Sequence, residues 1–161
     1  MKALFIGGTG TISMAITRQL ACDPSWELYL INRGSRTEEL PDNVTVISGD
    51  INNEAEIAEK LGDLKFDTVC DFIGFVPSQL ERDYRLFRDR TRQFMYISSA
   101  SAYQKPLSDH RITESTPLCN PYWEYSRNKI ACEEYLMKMY RENGFPVTII
   151  RPSHTYDERS V

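Results

Sequence analysis

Short apolar runs alternate along the chain with stretches in which apolar residues recur every three or four positions. A strand buried on both faces is continuously apolar, whereas a helix buries only one stripe, so the runs predict strands and the periodic stretches predict helices. The predicted strands are Lys2–Ile6, Glu27–Asn32, Val44–Ser48, Thr68–Phe72, Gln93–Ser98 and Val147–Ile150. The predicted helices are Thr11–Leu20, Glu54–Leu61, Gln79–Asp89 and Tyr122–Glu142.

The last predicted helix has a signal at each end. Asn120 is suited to cap its N-terminus, Pro121 suits the first helical position, and Gly144 supplies a stop. Strands that alternate with helices at this spacing need crossover connections, which favour parallel pairing. The chain is therefore predicted to have an α/β fold, with a doubly wound parallel sheet and helices on both faces.

A glycine-rich turn lies between the first predicted strand and the first predicted helix. Glycines allow a tight turn and a close approach of backbone to phosphate, and a helix N-terminus offers unpaired N–H groups to an anion. The position after a strand and before a helix predicts a Rossmann-type dinucleotide-binding domain, with a plain structural turn as the alternative. Ser13 stands where a third glycine is common, after the predicted pyrophosphate-binding residues Gly7, Gly8, Thr9, Gly10, Thr11 and Ile12.

The end of the second predicted strand bears on the choice between NAD and NADP. An acidic residue there holds the ribose 2′-hydroxyl group, whereas an arginine accommodates a 2′-phosphate. This chain has Arg33 and no acid at that place, and Arg36 follows shortly. We expect NADP or NAD as the cofactor, with NADP favoured. In the alternative interpretation Arg33 is a solvated loop residue.

Asp50 follows the third predicted strand. It is placed to meet the adenine edge of the cofactor, and Ile51 is placed to pack on the adenine ring. Asp50 could instead cap the helix that begins near Glu54. Both interpretations can hold together.

Tyr125 and Lys129 are spaced to lie on one face of the last predicted helix. A free tyrosine ionises near pH ~10, and a nearby cation favours its phenolate form. Ser99 lies at the carboxyl end of the fifth predicted strand, the edge where parallel sheets bind ligands, and can donate a hydrogen bond to a substrate oxygen. These residues predict an acid/base site.

The motifs resemble, in order along the chain, the N-terminal part of an extended short-chain dehydrogenase/reductase of the NAD-dependent epimerase/dehydratase family. The residues that carry the resemblance are Gly7-Gly8-Thr9-Gly10, Gly49-Asp50-Ile51, Tyr96-Ile97-Ser98-Ser99-Ala100-Ser101-Ala102-Tyr103, Tyr125 with Lys129, Glu133 and Glu134, and Ile150-Arg151-Pro152. Ser13 departs from the family pattern. Arg33 and Asp71-Phe72-Ile73-Gly74-Phe75 resemble a divergent branch of nucleotide-sugar-epimerase-like proteins.

The resemblance implies roles for the candidate catalytic residues. Tyr125 would be the acid/base for a substrate hydroxyl, Lys129 would hold the nicotinamide ribose and favour ionisation of the tyrosine, and Ser99 would orient the substrate oxygen. Ser98 would replace Ser99 if the register slips by one residue. Hydride would pass between nicotinamide and a hydroxyl or keto carbon of a sugar-like substrate, with nucleotide sugars as one such class.

Family members run to roughly twice this length, so the resemblance implies that residues 1–161 form the cofactor-binding domain, truncated before a substrate domain. A sheet that stops at the sixth strand leaves an open edge, which favours a homodimer or aggregation. A non-catalytic dinucleotide sensor on the same fold and a nucleic-acid-binding relative are the alternative functions.

The composition of the chain argues against several of the possible functions and partners. The net charge is −4 and the isoelectric point about 5.3, with no basic cluster free of acids, which argues against a nucleic-acid partner. Four separated cysteines and two histidines lack metal-site spacing, so no metal is expected. No apolar run approaches the ~20 residues of a membrane span, and the N-terminus lacks a secretory pattern, so we expect a cytoplasmic protein.

Overall fold

The computed structural model describes residues 1–34 and 40–156, and places six strands of that part of the chain in one sheet. All neighbouring strands are parallel, in the order β3-β2-β1-β4-β5-β6. The strands are β1 (Lys2–Ile6), β2 (Glu27–Asn32), β3 (Val44–Ser48), β4 (Thr68–Asp71), β5 (Phe94–Ile97) and β6 (Val147–Ile150). The helices are α1 (Thr11–Ala21), α2 (Glu54–Leu61), α3 (Pro77–Phe87) and α4 (Glu124–Asn143), and a short 3-10 helix covers Ala100–Ala102.

The strand order reverses at β1. From β1 the chain first builds outward through β2 and β3, and then returns to the other side of β1 to place β4, β5 and β6. Connections diverge at such a switch point, and a crevice opens outside the carboxyl ends of the central strands. The predicted fold class is confirmed, and the reversal puts the glycine turn after β1 at the centre of that crevice.

Helices cover both faces of the sheet. One core cluster combines strand residues with Ile57 of α2, Leu80 of α3 and Leu136 of α4. The other combines strand residues such as Phe5 with Ile12 of α1. Both clusters exclude water from the continuously apolar strands, which is why the apolar runs predicted strands well.

Two helices begin at different residues from those predicted. Helix α4 begins at Glu124 with Trp123 at its N-cap, so the prediction that Asn120 caps this helix is wrong. The Asn120 side chain is used in the preceding loop instead: its Oδ1 accepts from the Tyr122 N–H group at 3.2 Å, and its Nδ2 donates to the Ser101 carbonyl oxygen at 2.8 Å. Helix α3 begins two residues before the predicted start.

The other element ends agree closely with the sequence patterns. Pro77 occupies the first turn of α3, where a missing N–H group costs nothing. Gly144 ends α4 in the left-handed conformation, with φ +67°, so the predicted stop is confirmed. Among the described residues, no helix is both long and apolar enough to cross a lipid bilayer.

Candidate functional site

The turn after β1 leaves little room for side chains. Gly7 has φ +83°, and a Cβ atom there would lie 2.3 Å from the Ile73 side chain. A Cβ atom on Gly8 would lie 2.4 Å from Leu30, so Gly8 faces the core beneath the turn. At Gly10, by contrast, an added Cβ would meet only the Ser13 hydroxyl, at 3.5 Å. The turn is therefore packed closely from below, while Gly10 has free space around it.

Polar side chains of α1 secure the turn. The Ser13 hydroxyl donates to the Gly7 carbonyl oxygen at 2.8 Å and accepts from the Gly10 N–H group at 2.8 Å. The Thr17 hydroxyl donates to the Gly8 carbonyl oxygen at 3.0 Å. The serine at the position of a third glycine thus fixes the turn by hydrogen bonds, and it is itself buried.

A cleft runs from the glycine turn across the ends of β2 and β3 to the start of α3. Its lining brings together most of the residues predicted to bind the cofactor. An adjoining hollow is lined by Thr11 and Ile12 with Gly7 and Gly10. Arg36 lies outside the described residues. The predicted residues that line the main cleft are Gly7, Thr9, Gly10, Arg33, Asp50 and Ile51, and the cleft also takes in Asn52, Ile73, Phe75, Gln79 and Arg82.

Asp50 has a different local role from helix capping. Its Oδ1 atom accepts two hydrogen bonds from Asn52, from the backbone N–H group and from Nδ2, each at 2.9 Å. Helix α2 has Asn53 at its N-cap, without a side-chain capping bond. The capping interpretation of Asp50 is therefore not what the structure shows, and its carboxylate lines the cleft beside the buried Ile51.

Lys129 lies beneath the other end of the site. Its side chain is 1% exposed, and Nζ donates to the carbonyl oxygens of Gly74 at 2.7 Å and of Ile97 at 2.8 Å. The same ammonium lies 4.9 Å from the ring centroid of Phe75 and 5.6 Å from that of Tyr125. Burial lowers the pKa of Lys129, although nearby acidic groups oppose that shift. The lysine thus ties α4 to the ends of β4 and β5.

Tyr125 lies within a group of aromatic side chains. Its ring centroid is 6.3 Å from that of Phe75 and 4.8 Å from that of Trp123. Phe75 also lines the cleft that contains the glycine turn. Trp123 is 56% exposed and Phe75 45% exposed, so the half-buried phenol lies at an aromatic surface open to the solvent. Phe75 therefore lies between the acid/base candidate and the cleft, whose lining does not include Ser99, Tyr125 or Lys129.

The two serines after β5 have separate environments. Ser99 precedes the 3-10 helix, is half-buried, and accepts at Oγ from the Ser101 N–H group at 3.1 Å. Ser98 is 2% exposed, and its hydroxyl donates to the Glu133 carboxylate. The hydroxyl of Ser99 therefore remains able to donate to a ligand, whereas that of Ser98 is engaged inside the protein.

Glu133 joins α4 to the end of β6. Its carboxylate accepts from Nε and Nη2 of Arg151, the latter at 2.7 Å, and Arg151 also donates to the Tyr103 hydroxyl at 3.2 Å. This contact raises the pKa of Arg151. A bidentate carboxylate–guanidinium pair is geometrically specific, so it fixes the helix carrying Tyr125 against the sheet. The sequence pattern included both residues without indicating that they pair.

Three ionisable residues next to the cleft were not identified as site residues from the sequence. Asp71 ends β4 and Asp83 lies on α3; both are fully buried, and the second carboxylate oxygen of each has no hydrogen-bond partner among the described residues. Arg82 is 4% exposed and donates from Nε to Asp83 at 2.9 Å. Burial, and the neighbouring Asp71 carboxylate, raise the pKa of Asp83 well above its ordinary value. One signal was present: Asp83 interrupts the apolar stripe between Leu80 and Leu86.

Within residues 1–34 and 40–156, no group of three or more histidine, cysteine or acidic side chains could hold a metal ion. The cysteines of that part are free thiols, and burial raises the pKa of Cys132 to about 11. What the site offers is a glycine turn, a carboxylate at one end, and a hydroxyl, a phenol and an ammonium group at the other.

Solved structures share this fold. A dTDP-glucose 4,6-dehydratase from Bacillus anthracis, in complex with NAD, matches with a TM-score of 0.81 and 18% identity, over 98% of this chain and 56% of that one. A UDP-Glc/GlcNAc 4-epimerase from Campylobacter jejuni matches with a TM-score of 0.80 and 19% identity, over 93% and 52% of the two chains. A UDP-glucuronic acid 4-epimerase from Bacillus cereus, in complex with UDP-glucuronic acid and NAD, gives a TM-score of 0.76, 18% identity and coverages of 94% and 56%.

These identities show the common fold, and the chain spans about half the length of the proteins it matches. No curated protein sequence matches it significantly. Residues 3–160 do match the sequence pattern of the family described as "NAD dependent epimerase/dehydratase family". That match covers almost the whole chain and agrees with the motifs in the glycine turn, after β5 and on α4. The chain belongs to the NAD-dependent epimerase/dehydratase family.

Proposed function

We propose that this chain is the dinucleotide-binding part of an NAD(P)-dependent enzyme that acts on a hydroxyl or keto group of a nucleotide-sugar-like substrate. The observation that carries the proposal is the position of Phe75, which lines the cleft of the glycine turn and Asp50 and packs beside Tyr125. Solved relatives with NAD and UDP-sugar ligands support the same assignment. A sensor would have no use for the serine, phenol and ammonium at the second end.

The residues of the cleft fit a dinucleotide. Gly10 is the N-cap of α1, where unpaired N–H groups and the helix dipole favour the pyrophosphate, and any larger side chain at this position would fill the space beside it. Asp50 would accept from the adenine amino group, and Ile51 would pack on the adenine ring. At the far end, Lys129 would bind the nicotinamide ribose with the ammonium hydrogen that its bonds to Gly74 and Ile97 leave over. Bound there, NAD(P) supplies a hydride acceptor or donor.

The chain's own residues supply the proton chemistry. Tyr125 moves a proton to or from the substrate oxygen at its phenolic Oη. Lys129, whose ammonium lies 5.6 Å from the centroid of the tyrosine ring, places a positive charge beside it. Ser99 donates a hydrogen bond from Oγ to the same substrate oxygen and orients it. The aromatic rings of Phe75 and Trp123 exclude water from one side of the phenol.

Two finer proposals concern the cofactor and the assembly. Arg33 is exposed at the cleft mouth, and no acidic side chain stands at its position, so we assign it to the 2′-phosphate of NADP. Strand β6 lies at the edge of the sheet with half-exposed side chains, and self-association through this edge stays a prediction.

Calorimetric titration of the chain with NADH and with NADPH, in separate experiments, tests the proposal. We expect saturable binding of both dinucleotides with one site per chain, and tighter binding of NADPH. Heats of dilution alone for both would contradict the proposed function. Tighter binding of NADH would leave dinucleotide binding in place and contradict the role of Arg33.

A further inference from the structure

A chain of hydrogen bonds links the cleft carboxylate Asp50 to the interior of α3. Asp50 accepts from Asn52, whose own Oδ1 accepts from Arg82 Nη1 at 2.6 Å, although residues 52 and 82 are far apart in the sequence. Arg82 in turn binds the fully buried Asp83. The loop that holds Asp50 is therefore anchored to a helix on the other side of the cleft.

The donors and acceptors of Arg82 and Asp50 determine how the Asn52 amide between them is oriented. A guanidinium group can only donate, so Arg82 requires the oxygen of the Asn52 amide to face it. The Asn52 nitrogen then has to face the opposite way, toward the Asp50 carboxylate. Arg82 thus fixes the orientation of the amide, and the amide holds the carboxylate together with the Asn52 backbone N–H group.

The arrangement leaves one Asp50 oxygen for a ligand. Both bonds from Asn52 reach Oδ1, and no described residue donates to Oδ2. Asn52 and Arg82 both line the cleft beside Asp50. A carboxylate held by one oxygen presents the other in a fixed direction, and as an acceptor it selects a ligand that donates.

We propose that Asn52 and Arg82 are positioning residues that direct the free oxygen of Asp50 to the 6-amino group of adenine, so that the site selects adenine over hypoxanthine dinucleotides. This inference rests on the proposed function, since it assigns the adenine end of the same cleft. Hypoxanthine has a carbonyl oxygen where adenine has the amino group. Opposite the Asp50 carboxylate, that oxygen would meet another acceptor with no proton between them.

The test compares the dissociation constants of NADH and of reduced nicotinamide hypoxanthine dinucleotide, whose ratio isolates the adenine amino group. We expect the wild-type chain to prefer NADH about tenfold, the loss that follows from one charge-assisted hydrogen bond. Asn52→Ala should reduce the preference to about threefold or less. Asn53→Ala is the matched control and should keep the wild-type ratio, because among the described residues the Asn53 side chain binds Glu56 and not Asp50.

A second variant, at Arg82, distinguishes a positioning role from a general loss of structure. Arg82→Lys keeps a positive charge beside Asp83 but loses the planar fork, so it should also reduce the preference while Asn53→Ala does not. A wild-type ratio in Asn52→Ala would overturn the positioning role. Equal wild-type affinity for the two dinucleotides would overturn the adenine contact yet leave cofactor binding established, whereas binding of neither is the failure of the proposed function itself.

Discussion

The ammonium group of Lys129 donates a 2.7 Å hydrogen bond to the carbonyl oxygen of Gly74. This bond joins α4 to the loop after β4, and Phe75, the next residue of that loop, packs beside Tyr125. The bond therefore fixes the position of the helix that carries the phenol relative to the loop that lines the cofactor cleft. The position of Tyr125 beside the cofactor cleft depends on this contact.

The phenolic oxygen of Tyr125 is expected to matter for turnover and not for cofactor affinity. In the full-length protein, Tyr125→Phe should lower kcat at least about 10²-fold, because a general acid/base typically contributes that much, and should leave the Kd for the dinucleotide unchanged. Steady-state kinetics on a panel of nucleotide sugars, with calorimetry of the cofactor, measures both. Tyr122→Phe is the control, since that side chain is 76% exposed. Full turnover in Tyr125→Phe would refute the assigned role.

Gly10 is the position where a small change should affect binding alone. A Cβ atom there meets only the Ser13 hydroxyl, so Gly10→Ala should leave the thermal midpoint near that of wild type. The added methyl group would occupy space needed by the pyrophosphate, and we expect NADH to bind about tenfold more weakly, roughly 1.4 kcal/mol. Gly144→Ala should instead lower the thermal midpoint and leave NADH binding unchanged. Its φ of +67° disfavours alanine, which should lower stability by about 1 kcal/mol without affecting affinity.

Arg33 should set the preference between the two cofactors. Arg33→Ala is expected to weaken NADPH binding about fivefold and to leave NADH binding unchanged. A fivefold loss corresponds to about 1 kcal/mol, which is typical of an exposed charge pair. Arg18→Ala removes another exposed arginine, one that does not line the cleft, and should change neither constant. An equal loss for both dinucleotides in Arg33→Ala would show that the guanidinium does not read the 2′-phosphate.

The elements themselves were predictable because burial governs them. Each strand lies within two residues of its apolar run, and Gly144 ends α4 where the sequence placed a stop. Ser99 follows β5 at its carboxyl end, as the sequence pattern predicted, and the Lys129 ammonium lies at the same end of that strand. In each case the controlling interactions are local in the chain, or follow from the simple alternation of strands and helices.

The polar contacts between distant segments were not predictable. The bond from Arg82 to Asn52 requires α3 and the loop after β3 to approach within a few ångströms, which no single segment encodes. Asn120 has a favourable residue type for a helix cap, yet tertiary contacts with Ser101 and the adjacent turn use its side chain instead. Local propensity is a weak guide wherever such contacts compete with it.

Asp83 should give the stability of the fold a distinctive pH dependence. Its pKa is raised in the folded chain, so above about pH 4 the folded state keeps a proton that the unfolded state has released. The protonated carboxyl group stabilises the fold fully at a pH below the pKa that Asp83 has in the unfolded chain. As the pH rises from there toward the pKa of Asp83 in the folded chain, the free energy of unfolding falls by at most about 1.4 kcal/mol per pH unit. Asparagine offers the same donor and acceptor as the protonated acid.

The variant Asp83→Asn should therefore remove that component of the pH dependence. Denaturant unfolding between pH 4 and pH 8 should show a flatter profile than wild type, with the variant gaining stability relative to wild type as the pH rises. Asp89→Asn, at an exposed carboxylate, should retain the wild-type profile. Parallel profiles for wild type and Asp83→Asn would contradict a protonated Asp83 in the fold.

In the proposed complex, the dinucleotide lies along the cleft with its adenine at Asp50 and its nicotinamide at Tyr125. A crystal structure of the chain with bound NAD⁺ measures this directly. The account predicts the pyrophosphate over Gly10 at the start of α1, the adenine amino group on Asp50, and the nicotinamide ring beside Tyr125 and Lys129. Electron density for the dinucleotide outside this cleft, or with its nicotinamide directed away from Tyr125, would contradict it.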